Sequence, residues 1–267
     1  MWSIKKTFAT TLVAATSLVA FGSGTDAQSE ARIHLIHGIP GVDVDVAAGG
    51  ANVFEGFSFG DTQDLSALAG QTLVGVQVKA AGTDTVAIDA GDVTLPGSGN
   101  YTVIAHLSAD GTPSLGVFEN DVSSIAAGEG RLTVRHTAAA PAVDVLADGN
   151  VAFAGVTNPQ EGVVDLPVGT INASVAPAGT TDPVIGPADL SIADGQNLIV
   201  YAVGSLSDDS LTVLTETIDG LGTAPTRVNT GNTPIDGEGG VPYLAILLIA
   251  MLALAGTGAV VRVQRTA

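Results

Sequence analysis

The chain has 267 residues, with 27 Asp or Glu, nine Lys or Arg, four His and no Cys, which gives a formal net charge of −18. This acidic balance excludes a non-specific nucleic-acid-binding protein, because neutralising phosphates requires clustered Lys and Arg. The absence of cysteine excludes a disulfide framework, a thiol nucleophile and a thiolate metal site.

The first 27 residues are predicted to be a secretory signal peptide. Lys5 and Lys6 precede an apolar stretch over residues 8–21, and small residues follow it before Gln28. A positive start, an apolar middle and a small-residue end are the three parts of such a signal. We therefore expect the chain that follows it to be exported.

Residues 28–126 and 127–219 are predicted to be two copies of one domain. The first copy opens RIHLIHGIPGVDV from Arg32, and the second opens RLTVRHTAAAPAVDV from Arg131. Matching the two openings at Val-Asp-Val implies that the second has gained two residues in its turn. The run NYTVIA from Asn100 returns as NLIVYA from Asn197. Two domains of about 100 residues fit the usual domain size.

Apolar residues alternate with polar ones inside each copy. Val42, Val44 and Val46 alternate with Asp43 and Asp45, which predicts a strand with the valines on one face. The other β-rich runs are 32–37, 72–79 with Val74, Val76 and Val78 on one face, 85–89, 101–107, 115–119, 131–136, 197–203 and 211–217. Many short strands with turn residues between them predict an all-β fold of two tandem antiparallel β-sandwich, immunoglobulin-like domains.

The tandem opening, Arg-x-x-x-x-His followed by Pro-x-Val-Asp-Val, resembles a family of secreted bacterial and archaeal domains, the domain-of-unknown-function family 4397. The first copy carries the motif from His37 to Asp43, and the second carries it from His136 to Asp144 with a longer turn. The similarity covers about residues 31–219. The resemblance implies β-rich modules exposed at a cell surface, and it transfers no catalytic residue.

His37, Asp43, His136 and Asp144 are the repeated polar positions of the two openings. A functional interpretation pairs each His with its Asp as a metal half-site or an acid–base couple. A structural interpretation has the imidazole bonded to the turn backbone, with the Asp bracing it. We favour the structural one because a zinc site needs three or four protein ligands and each copy offers one repeated His. The sequence therefore assigns no metal, cofactor or catalytic residue.

Two acids of the first copy, Asp43 and Asp45, share a predicted strand face and could bind Ca²⁺ together with carbonyl oxygens of the turn. The second copy places Leu146 where the first has Asp45, so solvated acids are the favoured interpretation. The chain also has no Gly-x-Ser-x-Gly elbow, no His-Glu-x-x-His and no phosphate-binding glycine loop. We therefore expect a protein that is not an enzyme.

The C-terminal 48 residues contain a predicted linker, membrane span and tail. Residues 220–240 are rich in Gly, Pro and Thr, which is typical of a flexible linker. Residues 241–261 carry no charge and would extend about 31 Å as a helix, enough to cross a bilayer. Arg262 and Arg265 in the short tail 262–267 predict a cytoplasmic C-terminus.

Together these features predict a non-catalytic, membrane-anchored prokaryotic cell-surface protein that presents two β-sandwich modules for adhesion, for binding or as a stalk. The expected partner is a cell-surface protein or a cell-wall component, and the helix would contact the membrane. The alternative is an extracytoplasmic metal-dependent or hydrolytic module that uses the repeated His and Asp residues. Residues 28–240 carry 26 acidic and five basic residues, so a partner would meet a strongly negative surface.

Overall fold

A computed structural model describes residues 31–222, which contain sixteen β-strands and one short 3₁₀ turn. The first repeat contains β1 (Arg32–His37), β2 (Val44–Ala48), β3 (Ala51–Phe57), β4 (Thr62–Asp64), the 3₁₀ turn (Ser66–Leu68), β5 (Thr72–Ala80), β6 (Val86–Thr94), β7 (Asn100–Leu107) and β8 (Pro113–Glu119). The second repeat contains β9 (Glu129–His136), β10 (Val143–Ala147), β11 (Asn150–Val156), β12 (Glu161–Pro167), β13 (Gly169–Pro177), β14 (Ile185–Ile192), β15 (Asn197–Val203) and β16 (Thr212–Ile218).

Several segments predicted from the sequence are not covered by the structure, which describes residues 31–222. The signal peptide 1–27, almost all of the linker 220–240, the span 241–261 and the tail 262–267 lie outside the described residues. Within residues 31–222, no helix has the length and apolar character that crossing a membrane requires.

Each repeat forms two four-stranded sheets, and the all-β fold class is confirmed. The inner sheets have the strand orders β4-β1-β7-β8 and β12-β9-β15-β16, and the outer sheets have β3-β2-β5-β6 and β11-β10-β13-β14. The prediction of purely antiparallel sheets is wrong for one pair in each repeat, because β1 runs parallel to β7 and β9 runs parallel to β15. Parallel neighbours need a long crossover connection, and the strands of the outer sheet provide it.

The inner and outer sheets of each repeat enclose an apolar core. In the first repeat, Ile33 and Val103 of the inner sheet share a buried cluster with Val78 of the outer sheet. In the second repeat, Val200 of the inner sheet shares a cluster with Val145 of the outer sheet. Burying each such side chain contributes about 1.5–3 kcal/mol, so apolar packing stabilises each repeat in a chain that has no cysteine.

A β-bulge in β5 reverses the predicted alternation of its valines. Val76 and Val78 are buried as expected, but Val74 is 59% exposed. Gly75 has φ +59°, and the register between β5 and β6 shifts between Leu73 and Val76. The extra residue of a bulge turns the preceding side chains to the opposite face, so Leu73 packs against the core and the prediction for Val74 is wrong.

The two inner sheets pack face to face and join the repeats. Ile36 and Ile104 of the first repeat share a buried cluster with Ile199, Tyr201 and Val203 of the second. Strands β7 and β15 are consequently covered on both faces, which explains the run of consecutive apolar residues within each, Val103 to Ala105 in β7 and Leu198 to Val203 in β15. Residues 31–222 are thus four sheets in series that belong to one compact unit.

The segment between β8 and β9 is fixed to the second repeat. The guanidinium of Arg131 binds the Asp165 carboxylate through Nε at 2.7 Å and Nη2 at 3.0 Å. The same group lies 3.0 Å from a carboxylate oxygen of Asp121 in the connecting segment. Ile125 is fully buried, and its N–H donates to the carbonyl oxygen of Leu221 at 2.8 Å. The connection between the repeats is therefore a packed segment.

Candidate functional site

The repeated histidines are buried at the ends of β1 and β9. His37 Nε2 lies 2.8 Å from the carbonyl oxygen of Val42, and His136 Nε2 lies 2.9 Å from that of Pro141. A carbonyl oxygen only accepts, so Nε2 carries the proton in both rings and donates. Each imidazole therefore braces the turn that follows its strand.

The other ring nitrogen distinguishes the two histidines. His136 Nδ1 accepts a 3.4 Å hydrogen bond from the N–H of Ala138, whereas His37 Nδ1 is buried without a partner among residues 31–222. The His37 ring stacks instead on Phe57, with the ring centroids 6.0 Å apart. Burial lowers the pKa of His136, which favours the neutral imidazole.

Asp144 binds backbone rather than its neighbouring histidine. Its two carboxylate oxygens accept the N–H groups of Gly155 and Gly179 at 2.7 and 2.8 Å. These bonds, first that from Gly179 and then that from Gly155, hold the pKa of the Asp144 carboxyl below its usual range. The carboxylate joins β10 to β11 and to the turn after β13, and it is ionised for that structural task.

Asp45 performs the same task in the first repeat. Its carboxylate accepts the N–H groups of Gly56 and Gly82 at 2.8 and 2.9 Å. The bond from Gly56 is the main cause that lowers the pKa of Asp45, followed by the bond from Gly82. A carboxylate that already accepts two N–H groups offers a poor Ca²⁺ site. Within residues 31–222, no group of three or more His, Asp or Glu side chains is placed to hold a metal ion.

These contacts correct the match between the two openings. Eight positions separate His37 from Asp45, and eight also separate His136 from Asp144, so neither opening has an insertion. The prediction that Asp43 corresponds to Asp144 is wrong. Asp43 is exposed and precedes β2. The first copy reads Val-Asp-Val-Asp-Val, so the Val-Asp-Val of the second copy can be aligned with it in two ways. The bonds to glycine N–H groups show that Asp45 is the equivalent of Asp144. For the same reason, Leu146 is the counterpart of Ala47 and not of Asp45.

A polar network that the sequence analysis missed crosses the interface between the inner sheets. The Glu216 carboxylate accepts hydrogen bonds from the hydroxyl of Tyr201 and from Thr102 Oγ1, both at 2.8 Å. Its other oxygen lies 2.7 Å from His34 Nδ1. Because Tyr201 and Glu216 belong to the second repeat, and Thr102 and His34 to the first, one carboxylate is bound by both repeats.

Arg135 extends this network and is itself 1% exposed. Its Nη1 donates to the Tyr201 hydroxyl at 2.8 Å, and its Nε donates to Glu161 at 2.7 Å. The guanidinium carbon lies 4.5 Å from the ring centroid of Phe118, on the first repeat, in a cation–π contact. Burial raises the pKa of Tyr201, so its phenol stays protonated and keeps donating to Glu216.

A comparison of the two copies at each position could have revealed this network. Arg135 and Tyr201 occupy positions that hold Ile36 and Ile104 in the first repeat. Two neighbouring buried strands, β9 and β15, that each exchange an isoleucine for a guanidinium or a phenol require polar partners nearby, because unpaired buried polar groups are costly. The sequence therefore carried a signal for a polar interface, but nothing in it identified the partners.

Residues 31–146 match the model of a protein family described as Domain of unknown function (DUF4397). The match begins just before β1 and ends inside β10, so it includes the whole first repeat and the opening of the second. The predicted resemblance is confirmed over residues 31–146, whereas its predicted extent to about residue 219 stays a prediction. Among curated proteins, none matches the chain.

Proposed function

We propose that this protein, whose residues 31–146 carry a DUF4397 domain, is a non-catalytic cell-surface protein. The description of that family names no activity, so the proposal is argued from the geometry of residues 31–222. The protein presents two immunoglobulin-like β-sandwich modules outside a prokaryotic membrane. In this proposal, residues 1–27 direct export, the linker 220–240 holds the modules away from the membrane, and a helix over 241–261 anchors them, with the tail 262–267 in the cytoplasm.

One observation carries the non-catalytic part of the proposal: the repeated polar side chains are bound to the protein's own backbone. Both histidines donate to turn carbonyls, and the paired carboxylates Asp45 and Asp144 each accept two glycine N–H groups. A general base or a metal ligand needs a free lone pair directed at its substrate or ion. The one unpaired nitrogen of the two histidine rings among residues 31–222, His37 Nδ1, is fully buried beside Phe57. Within residues 31–222, no observation favours the metal-dependent or hydrolytic alternative.

The packing of the repeats supports a role in presentation. The inner sheets share an apolar cluster and a buried polar network, and the connecting segment is held by Arg131 and Ile125. Flexibly linked modules would have an exposed, polar connection. We infer that a partner meets both repeats in one fixed orientation, as a stalk or an adhesion unit requires.

The charge of the modules supports a partner that is itself positive or coated with cations. Residues 31–222 contain 23 acidic and four basic residues. Two of these bases, Arg131 and Arg135, are buried and paired with carboxylates. The surface therefore carries a large net negative charge, which would repel nucleic acid and favour a basic cell-surface protein or a cation-bearing cell wall.

Protease treatment of intact cells tests the proposed presentation. One variant of the full chain carries an epitope in the exposed turn between Gly49 and Gly50, and a matched variant carries it after Ala267. We expect external protease to remove the turn epitope from intact cells and to spare the C-terminal one until the cells are lysed. Protection of the turn epitope in intact cells would contradict the proposal.

A further inference from the structure

The second repeat encloses a cavity of about 330 Å³ between its inner and outer sheets. Apolar side chains from both sheets, among them Leu132 and Val200 of the inner sheet and Val145 and Leu190 of the outer sheet, form most of its wall. The equivalent space in the first repeat is about 110 Å³ and is lined by apolar side chains. The two copies of one fold therefore differ threefold in internal space.

Two differences between the repeats account for the larger cavity. Phe57 fills the first core, whereas the equivalent position in the second repeat is the smaller Val156. In the first repeat, β6 and β8 approach each other and close the edge of the sandwich, while the equivalent strands β14 and β16 stay further apart.

The position of the opening follows from the exposed side chains of the lining. Leu115 on β8 packs against the first core. Its counterpart Val213 on β16 lines the second cavity and is 38% exposed, and Val184, just before β14, lines it and is 36% exposed. Side chains that belong both to the wall and to the surface lie at the opening. The cavity therefore opens to solvent between β14 and β16.

We propose that the second repeat binds a small, neutral, largely apolar molecule through this opening. An apolar cavity of about 150 Å³ holds benzene, so a space of 330 Å³ has room for a two-ring molecule or for roughly ten carbon atoms. Ser174 and Thr212 also line the space, so its boundary is not wholly apolar. The negative surface disfavours an anionic ligand such as a fatty acid carboxylate.

This inference goes beyond the proposed surface role and does not depend on it. The cavity lies inside one repeat, away from the interface between the inner sheets. Ligand binding is measured on the purified protein, whereas surface presentation is measured on intact cells. Either proposal can therefore fail while the other holds.

Photolabelling of the full-length protein with benzophenone tests the proposal. Benzophenone is a neutral two-ring molecule that inserts into nearby C–H bonds on irradiation, and mass spectrometry identifies the labelled peptides. We expect labelling to concentrate on peptides that contain residues 184–190 and 211–213. Labelling distributed evenly along the chain, or concentrated in the first repeat, would overturn the proposal.

Matched variants separate binding in the cavity from adsorption. Ala173→Phe places a ring in the cavity wall, and Ala188→Leu is a milder filling variant that serves if the first fails to fold. Val117→Phe adds the same ring at an exposed site on β8 of the first repeat and is the control. We expect the filling variants to lose labelling about tenfold, equivalent to 1.4 kcal/mol of binding free energy, and the control to keep it. Undiminished labelling in a folded filling variant would overturn the proposal.

Discussion

Thr102 in the first repeat donates a 2.8 Å hydrogen bond to Glu216 in the second, across 114 positions of sequence. Thr102 is fully buried, so its hydroxyl has no water to replace this acceptor. A polar bond in an apolar interface specifies one arrangement of the two sheets, because sliding them would leave buried groups unpaired. The relative orientation of the two repeats is thus fixed by hydrogen bonds as well as by the packing of apolar side chains.

Removing the shared carboxylate should destabilise the whole unit. Glu216→Ala leaves the Tyr201 hydroxyl without its acceptor and leaves the Thr102 hydroxyl only the longer bond to Asn120 Oδ1 at 3.5 Å. Hydrogen bonds to charged groups contribute about 1.5–3 kcal/mol each. We expect the free energy of unfolding, measured by urea denaturation, to fall by about 2–4 kcal/mol. Thr217→Ala, at an exposed neighbouring position on β16, is the control and should change it by less than about 0.5 kcal/mol. Equal stability of the two variants would show that the network contributes nothing.

Two glycines with positive φ should differ in their response to alanine. Gly75 has φ +59° with open space where a Cβ would project, so Gly75→Ala should cost about 1–2 kcal/mol from the backbone conformation alone. Gly204 has φ +90°, and a Cβ there would overlap the backbone of Ser210. We expect Gly204→Ala to lower the thermal midpoint clearly more than Gly75→Ala. The reverse order would contradict the backbone geometry of the β15–β16 connection.

Acid should unfold the protein through Asp45 and Asp144. Their pKa values are lowered in the folded protein by glycine N–H groups, so these carboxylates stabilise the fold above about pH 4. That stabilisation is lost as the pH falls through the depressed values. We expect Asp45→Asn with Asp144→Asn to lower the thermal midpoint at pH 7 and to flatten its decline below pH 4. Asp43→Asn, at an exposed position, should leave the profile unchanged, and an identical effect of both substitutions would contradict the assignment.

A second decline should occur at mildly acidic pH, where histidine titrates. Burial lowers the pKa of His106 and of His136, and the charge of His136 lowers that of His106 further. A lowered folded pKa means that the unfolded chain binds protons first, so stability is complete above about pH 6.5 and falls below it. Thermal scans from pH 7.5 to 5 should show this loss, and His106→Gln should reduce it. A midpoint that rises on acidification in this range would be inconsistent with neutral buried imidazoles.

The sequence predicted the strands better than it predicted their partners. The predicted bounds of β1 and β15 were correct because turn-forming residues border both runs: Gly38 and Pro40 follow β1, and Asp194 and Gly195 precede β15. The alternation of β5 failed at Gly75. An isolated glycine in a strand can mark a bulge, but the pairing with β6 decides whether a bulge forms there. Hydropathy periodicity also cannot reveal the parallel pairing of β1 with β7, because these strands are distant in sequence and are connected through the outer sheet.

In the candidate site, too, the local features were predicted from the sequence and the long-range partners were not. Both histidines were located and weighed toward a structural role, because one ring per copy cannot complete a metal site. The alignment of the two copies chose Asp43 instead of Asp45, two positions later, as the counterpart of Asp144. The sequence could not correct this choice, because the groups that bind Asp45, Gly56 and Gly82, are distant in sequence. The contact between Arg135 and Tyr201 needed the fold, because it depends on the parallel pairing of β9 with β15, which the local sequence does not reveal.

Differential scanning calorimetry of the full-length protein tests most directly whether the two repeats form one unit. If the inner sheets and their network couple the repeats, residues 31–222 should unfold in a single transition whose calorimetric and van't Hoff enthalpies agree. Glu216→Ala should move that whole transition to lower temperature. Two separate transitions, with one unaffected by Glu216→Ala, would contradict the account and show that the repeats fold independently.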